Sequence, residues 1–167
     1  RTHLRRFSAA FDHYPAAKPR AQYHDSYEYR GDWSPDFFAQ FEKRRGYRLQ
    51  TELPALFAKE HNEHSARVLC DYRETVSDIL SEDSFPQWAQ WATAHGFLTR
   101  NQAHGSPGNL LDLYALADIP ETEMFNLDRN KLISKFASSA AHVAGRKLTS
   151  AETGTWLNEH FTETLAD

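Results

Sequence analysis

The sequence predicts an α/β fold built on a parallel sheet. Short extended segments alternate with helical ones four times along the 167 residues, and such an alternation produces parallel strands joined by crossover helices. The chain is long enough for a single domain, residues 1–167, and shorter than a closed eight-stranded barrel of roughly 200 residues or more. Two architectures remain open at this point: half of such a barrel, and a smaller open sheet.

Composition excludes several functional classes. Hydrophobic residues make up 40% and charged residues 25% of the chain, which is a globular composition. The formal charge of −4 removes the electrostatic basis for non-specific nucleic-acid binding, and no apolar run approaches the ~18 residues of a membrane span. The single cysteine, Cys70, excludes an internal disulfide and a thiolate zinc site. The chain opens Arg1-Thr2-His3, which indicates a mature or cut product, or a piece of a longer protein.

Apolar spacing and helix-end signals predict the elements of the first half. The helical spacing of Leu4, Phe7 and Phe11 predicts a first helix. Pro15 and Pro19 are expected to end it. Residues 21–28 form a short extended segment with a polar end. Ser34-Pro35-Asp36 predicts the start of a second helix through its hydroxyl, proline and acid, and Gly46 ends that helix. Residues 47–65 are expected to form a loop.

The second half begins with the clearest helix. Its apolar stripe comprises Val68, Leu69, Tyr72, Val76, Ile79 and Leu80. Pro86 is expected to kink or interrupt this helix, which continues to Gly96. There follow a strand at 97–102, a helical patch at 110–116, a strand at 118–125, a helix from Asp128 to Gly145, a strand at 147–151 and a helix from Trp156.

Polar side chains collect at the ends of all four predicted strands, where parallel α/β folds place their functional groups. They are Asp25 and Glu28 after the first strand, Asn101, Gln102 and His104 after the second, Asp118, Glu121 and Glu123 on the third, and Glu152 on the fourth. Carboxylates that converge repel one another, so their assembly indicates proton chemistry, a hard cation, or both.

Structural interpretations of these residues stay open. The carboxylates could be a helix cap, solvated surface acids or the first acid of a helix N-terminus, and His104 could be a turn residue. His61 and His64 have the spacing of helical metal ligands, but a polar surface loop is the favoured interpretation. Ser26 lacks the glycines of a serine-hydrolase elbow, and residues 105–108 form neither a phosphate-binding nor a dinucleotide-binding loop.

A set of ordered motifs resembles a known family. The motifs are Asp25-Ser-Tyr-Glu28, Trp33-Ser-Pro-Asp-Phe37 with Arg44-Arg-Gly-Tyr47, Cys70-Asp-Tyr-Arg-Glu-Thr75, Arg100-Asn-Gln-Ala-His-Gly-Ser-Pro-Gly-Asn109, Asp118-Ile-Pro-Glu-Thr-Glu123 and Ser150-Ala-Glu152. From about Tyr23 to the chain's end, they resemble the catalytic region of bacterial α-L-rhamnosidases of glycoside hydrolase family 106. Members of that family are large multidomain proteins. The resemblance therefore implies a partial (β/α)8 TIM-type barrel of about four βα units with parallel strands, the second half of the catalytic barrel.

The resemblance also implies a mechanism. It implies inverting hydrolysis of terminal α-L-rhamnosides by two glutamates, with a calcium ion that holds the rhamnose hydroxyls. Glu28 matches the family's general acid, and Glu152 is our choice for the general base, a role for which Glu121 and Glu123 compete. Together with Asp25, those two glutamates are better suited to bind calcium and sugar hydroxyls. Inversion requires the acid and the base to lie roughly 6.5–9.5 Å apart.

Further expectations concern the substrate and the missing part of the barrel. Hydrogen bonds to sugar hydroxyls are expected from Asn101, Gln102, His104 and Asn109, and an apolar sugar-facing wall from Tyr27, Trp33 and Trp156. The expected partners are a rhamnose-containing glycoside or polysaccharide, and a missing barrel half or a second copy that covers an apolar sheet face. The resemblance implies a periplasmic or secreted protein.

Two alternatives remain open. One is a catalytically incomplete barrel fragment that binds carbohydrate or calcium. The other is a related barrel glycosidase with a different sugar preference.

Overall fold

The computed structural model describes residues 2–14, 16–28, 31–60, 62–125 and 132–155. Its sheet contains β1 (Ala21–His24), β2 (Leu98–Asn101), β3 (Ile119–Phe125) and β4 (Ser150–Thr155), arranged in that order. Each neighbouring pair is parallel. A sheet whose order follows the chain and whose strands all run the same way is the arrangement produced by successive βα units. The predicted α/β class is therefore confirmed.

The first helix precedes β1, and the other helices lie between successive strands. In chain order they are α1 (Thr2–Phe11), α2 (Phe37–Arg45), a 3₁₀ turn (Leu49–Glu52), α3 (Leu53–Leu56), α4 (Glu63–Asp78), a π-helical segment (Ile79–Ser84), α5 (Phe85–Ala94), α6 (Leu110–Leu116), a second 3₁₀ turn (Ile133–Lys135) and α7 (Phe136–Val143). Within the described ranges, none of these helices has the length and apolar character needed to cross a membrane.

The loop expected at residues 47–65 is largely helical. It contains the first 3₁₀ turn and α3, and α4 already begins at Glu63. Asn62 Oδ1 accepts the Ser65 amide at 2.9 Å and the Asn62 amide donates to Ser65 Oγ at 2.8 Å, so the two residues form a capping box. The turn is fixed by burial of Leu49 among the apolar residues of α2 and α4. Segments of four residues are too short to show helical periodicity, which explains the wrong prediction.

The predicted interruption at Pro86 is confirmed as a π-helical segment between α4 and α5. Proline lacks an amide hydrogen and its ring clashes with the carbonyl four residues earlier, so the wider turn precedes it. Two arginines at the end of α2, Arg44 and Arg45, form ion pairs with acids in and next to this π-helical segment. Arg44 pairs with Glu82 and with Asp83, the latter at 2.9 Å, and Arg45 pairs with Asp78 at 2.5 Å.

Other element boundaries differ from the predictions. Helix α2 begins at Phe37, and Ser34 Oγ donates to Asp36 Oδ1 at 2.7 Å instead of capping the backbone. Strand β4 begins at Ser150, three residues later than predicted, and runs to Thr155. The expected helix start at Asp128, the helix from Trp156, and His61 lie outside the described residues.

The sheet has one face towards the helices. On it, the His24 ring contacts Trp88 of α5 at 5.9 Å between centroids, Asn101 Nδ2 donates to the Leu113 carbonyl at 3.4 Å, and Thr122 Oγ1 donates to a carbonyl of the second 3₁₀ turn at 3.1 Å. Apolar packing beneath the end of this face is provided by α6 and α7, around Leu113 and Tyr114.

Strand alternation places a different set of side chains on the opposite face, which we call the inner face. Its polar residues are Tyr23, Arg100, Gln102, Glu121, Glu123, Ser150 and Glu152, while Ala21, Leu98 and Ile119 lie on it at the amino ends of β1, β2 and β3. The inner face is therefore apolar only at the amino ends of the strands and polar towards their carboxyl ends, which differs from the expectation of an apolar face. Association with a barrel half or a second copy stays a prediction.

Candidate active site

The inner face carries its polar side chains in two layers. Side chains two residues apart on a strand lie on the same face, and their contacts divide them into two groups. The group that we call the lower layer consists of Tyr23, Arg100, Glu121 and Ser150, which contact one another across the strands. The group that we call the upper layer lies nearer the carboxyl ends of the strands and consists of Asp25, Gln102, Glu123 and Glu152.

The lower layer is a hydrogen-bonded network that crosses all four strands. Arg100 donates to Glu121 Oε2 through both Nε and Nη2, and the same carboxylate oxygen accepts the Ser150 hydroxyl. The guanidinium carbon lies 4.6 Å from the centre of the Tyr23 ring. Glu121 is 0% exposed, and its charge is compensated by Arg100. The arrangement favours a structural role for Glu121, since one of its oxygens is fully engaged by protein donors.

Tyr23 links the two layers. Its hydroxyl donates to Asp25 Oδ1 at 3.1 Å. Burial raises the pKa of Tyr23, and hydrogen bonding to the carboxylates of Glu121 and Asp25 raises it further. The phenol therefore remains a hydrogen-bond donor over the whole working pH range.

The upper layer brings carboxylates together. Glu123 lies beside Glu152 in the register of β3 and β4 and is 7% exposed. Burial raises the pKa of Glu123, and the charges of Glu152, Asp25 and Glu28 raise it further, whereas His104 lowers it. Acidic side chains from the ends of β1, β3 and β4, which the sequence predicted to converge, therefore lie close enough to interact electrostatically. Glu123 Oε2 is buried, and the structure gives it no hydrogen-bond partner.

Glu152 is held by an amide. Gln102 Nε2 donates to Glu152 Oε2 at 2.9 Å, and Gln102 is fully buried. This hydrogen bond passes across β3, which lies between the strands that carry the two residues. Gln102 thus binds a carboxylate of the protein, whereas the sequence suggested a contact with sugar.

The loop after β1 presents Glu28 at the surface. Asp25 Oδ1 accepts the Ser26 amide at 2.9 Å, and the Ser26 hydroxyl donates to Glu28 Oε1 at 3.4 Å. These local contacts give the exposed Glu28 a defined position without burying it.

The loops after β1 and β2 are packed directly against each other. The Tyr27 amide donates to the His104 carbonyl at 2.8 Å. Gly105 has a φ of +75°, and a Cβ at this position would lie 2.7 Å from the Tyr27 carbonyl oxygen. Only glycine fits this backbone conformation and this close approach. This glycine therefore allows the loop that carries His104 to pack closely against the segment that carries Glu28.

Two of the predicted sugar ligands lie elsewhere. Asn101 is buried on the helix face. Asn109 caps α6, because its Oδ1 accepts the Leu111 amide at 3.1 Å while its own amide donates to Ser77 Oγ at 3.0 Å. The structure therefore does not bring these two amides to the carboxylates.

The aromatic residues predicted to form a sugar-facing wall do not lie together in the described part of the chain. Tyr27 lines a cavity of about 240 Å³ near the ends of β1 and β2, together with His24, Leu80, Ser84, Phe85, Trp88 and Asn101. Trp33 packs on Phe37 with 5.0 Å between ring centroids. Trp156 lies outside the described residues. The ring of His24, which sequence reasoning did not select, has a buried Nδ1 without a described partner, and burial lowers the pKa of His24.

One carboxylate is at the other end of its strand. Asp118 precedes β3, and its Oδ2 accepts the amide and the hydroxyl of Thr99, both at 2.9 Å. Arg146 lies 3.7 Å from its Oδ1. Asp118 is therefore a structural residue at the amino end of the sheet, and its inclusion among the strand-end carboxylates was wrong.

The donor set was tested for its fit to calcium. The described residues contain no group of three or more His, Cys, Asp or Glu arranged around a common point. Glu121 and Glu123 each have one buried carboxylate oxygen without a described donor. Glu121 fits poorly because Arg100 and Ser150 engage its other oxygen and Arg100 compensates its charge. Glu123 fits well, because its neighbours are acids, whose repulsion a cation would relieve.

Comparison with known proteins adds independent findings. A family model described as alpha-L-rhamnosidase matches residues 5–166. A putative beta-glucuronidase of Formosa agariphila is 31% identical over 137 residues, which are 80% of this chain and 12% of that protein. The solved rhamnosidase of Novosphingobium sp. PP1Y has a TM-score of 0.70 at 30% identity, over 87% of this chain and 15% of that chain. This chain therefore spans less than a sixth of either relative, and its βα units form part of a barrel.

Proposed function

This chain belongs to glycoside hydrolase family 106, the α-L-rhamnosidases, and we propose that its inner face carries the residues that hydrolyse terminal α-L-rhamnosides. The match over residues 5–166 carries the proposal, and the convergence of acids in the upper layer supports it. Two carboxyl groups with different environments are the minimum equipment for glycoside hydrolysis.

Glu28 acts as the general acid. It lies on an exposed loop, where the leaving part of a glycoside is able to reach it. The carboxyl group donates its proton to the glycosidic oxygen as the bond from that oxygen to the anomeric carbon breaks. The leaving group departs as a neutral alcohol, and Glu28 is left as a carboxylate.

Glu152 acts as the general base. It removes a proton from a water molecule as the water oxygen attacks the anomeric carbon from the opposite side, which inverts the configuration. Glu28 follows β1 and Glu152 lies on β4, the two outer strands of the described sheet. The two groups therefore approach the sugar from different sides, as inversion requires.

Calcium is part of the proposal through Glu123. Its buried oxygen without a donor and its acidic neighbours are the supporting observations, and Asp25 is the second candidate ligand. When bound, calcium would neutralise these acids and hold sugar hydroxyls. Glu121 is left out of the ligand set because Arg100 already compensates its charge.

The test is substitution of each acid in the complete gene product. Glu28→Gln and Glu152→Gln should each lower kcat on an alkyl α-L-rhamnoside by about 10²–10⁴-fold, the usual contribution of acid–base catalysis. Glu28→Gln should retain more activity on 4-nitrophenyl α-L-rhamnoside, because nitrophenolate leaves without protonation. Azide should restore turnover to Glu152→Ala as the inverted glycosyl azide, since azide attacks without a base.

Exposed Glu42 on α2 provides the matched control, and Glu42→Gln should behave as wild type. If either Glu28→Gln or Glu152→Gln has the wild-type rate on both substrates, the assignment of that residue is wrong. Product analysis by NMR tests inversion separately, because a retained configuration at first turnover would contradict the mechanism.

A second sugar preference has its own supporting observation. The relative from Formosa agariphila is described as a putative beta-glucuronidase, and shared catalytic residues fix a mechanism more closely than a substrate. Rates on a panel of aryl glycosides that includes a β-glucuronide would separate the two. The remaining alternative, a catalytically incomplete fragment, would be excluded if the purified 167-residue chain hydrolysed an aryl rhamnoside.

A further inference from the structure

The amide of Gln102 is the most deeply buried polar group of the upper layer. The side chain is 0% exposed, and its Nε2 donates to Glu152 Oε2 at 2.9 Å. Its Oε1 is buried and has no hydrogen-bond partner in the structure. A buried amide with an unmet acceptor costs folding free energy, so stability alone does not account for a glutamine at this position.

The chemistry of an amide suits this contact. Its N–H group is a donor at every pH and carries no charge, so it favours the ionised form of a carboxylate without forming an ion pair. The bond also restrains rotation of the Glu152 carboxyl group about its terminal torsion, which is otherwise broad. A lysine or arginine at the same place would neutralise the carboxylate and weaken it as a base.

The surroundings of Glu152 make this contact necessary. The acids that face the upper layer are Glu123 from β3 and Asp25 and Glu28 from the loop after β1, while His104 faces it from the loop after β2. Below it lies the compensated Glu121–Arg100 pair, with Tyr23 against the guanidinium. Glu152 therefore lies among acids that repel its carboxylate, and the Gln102 donor holds one oxygen of that carboxylate in place.

We propose that Gln102 is a positioning residue that orients the Glu152 carboxylate for its role as general base. This inference rests on the proposed function, because Glu152 is a base only if the chain takes part in glycoside hydrolysis. It replaces the expectation that Gln102 binds a sugar hydroxyl, since the amide N–H group is directed to the protein's own carboxylate.

The test compares Gln102→Met and Gln102→Glu with a matched control. Methionine is unbranched and nearly isosteric but has no donor, and glutamate adds a charge that repels Glu152. Gln50, in the first 3₁₀ turn, also has a buried Oε1 without a described partner. Gln50→Met therefore reports the effect of replacing a buried glutamine away from the inner face.

In the complete gene product, Gln102→Met should lower kcat for an α-L-rhamnoside by up to about 10²-fold, because misplacement of a catalytic group has this effect. Its KM should stay near wild type, because the contact lies within the protein. Gln102→Glu should lower kcat further, because its charge repels Glu152, and Gln50→Met should leave kcat near wild type. A raised KM with an unchanged kcat would make Gln102 a sugar ligand and overturn the proposal.

A second measurement does not depend on turnover. Crystal structures of the complete gene product and of its Gln102→Met variant give the orientation of the Glu152 carboxyl group. This group should rotate away from its wild-type position in Gln102→Met but not in Gln50→Met, and an unchanged orientation would overturn the inference even in an active enzyme. An inactive wild type with a reoriented Glu152 in Gln102→Met would instead refute the proposed function and leave the contact between the two side chains established.

Discussion

The strongest stability prediction concerns the charge pair of the lower layer. Arg100→Met would leave the fully buried carboxylate of Glu121 without its cation. Removal of one partner of a buried pair costs about 3–5 kcal/mol. Because the Arg100 side chain is 40% exposed, water enters the space it leaves, and we expect about 3 kcal/mol, the low end of that range. At about 2–4 °C for each kcal/mol in a domain of this size, Tm should fall by about 6–12 °C.

Urea unfolding followed by circular dichroism measures the loss. The control is Arg67→Met on α4, which breaks an exposed pair whose side chains are 76% and 82% exposed. An exposed pair of this kind contributes at most about 0.5 kcal/mol. The two arginine variants remove the same type of side chain, so the difference between them measures the effect of burial at Glu121.

A double variant identifies the cause. Arg100→Met combined with Glu121→Gln should recover most of the lost stability, because an uncharged amide at position 121 no longer needs a cation. A loss below about 1 kcal/mol in Arg100→Met, as for a surface pair, would refute the reasoning. So would a double variant less stable than Arg100→Met alone, since the penalty would then not come from the charge of Glu121.

Three further outcomes are expected. Burial raises the pKa of Glu123 above the ordinary 4.5, so stability falls as pH rises from that value through the folded pKa. Glu123→Gln should therefore resist urea better than wild type at about pH 7 and equally at about pH 4. Calcium chloride should raise Tm of wild type but not of Glu123→Gln. Gly105→Ala should lose more stability and activity than Gly145→Ala, which meets no atom within 4 Å and should lose about 1–2 kcal/mol for its left-handed backbone.

The sequence predicted the four strands because helical spacing and turn residues separate them clearly. It located β4 three residues too early, since Ser150–Thr155 has no apolar alternation. A strand whose inner residues are Ser150 and Glu152 resembles a loop in sequence, because the usual signal is an apolar face towards a core. The polar residues of β4 on the inner face therefore explain the boundary error at this strand.

Only part of the candidate site could be predicted from the sequence, because the position of a strand in the chain does not give the contacts of its side chains. Carboxylates after successive strands point to one edge of a sheet, and the structure places Glu28 and Glu152 close enough to Glu123 to raise its pKa. Their roles in catalysis stay predictions. Alternation within each strand decides which face a side chain takes, and this places Asn101 on the helix face and Gln102 on the inner face. Alternation also places Arg100 and Glu121 on the same face. The register of β2 against β3 aligns Arg100 with Ile119, two residues before Glu121, so only the side-chain contact in the structure identifies the partner.

The two layers differ in how their charges are satisfied, and this difference locates the chemistry. One oxygen of Glu121 and one oxygen of Glu123 are each buried without a described donor. In the lower layer, Arg100 compensates the charge of Glu121 within the protein, and the network joins the four strands. In the upper layer, the neighbours of Glu123 are acids, and they raise its pKa. Repulsion of this kind lowers stability unless a cation, a proton or a substrate hydroxyl relieves it. The fold therefore tolerates uncompensated acids only at the carboxyl edge of the strands, where a ligand can complete them.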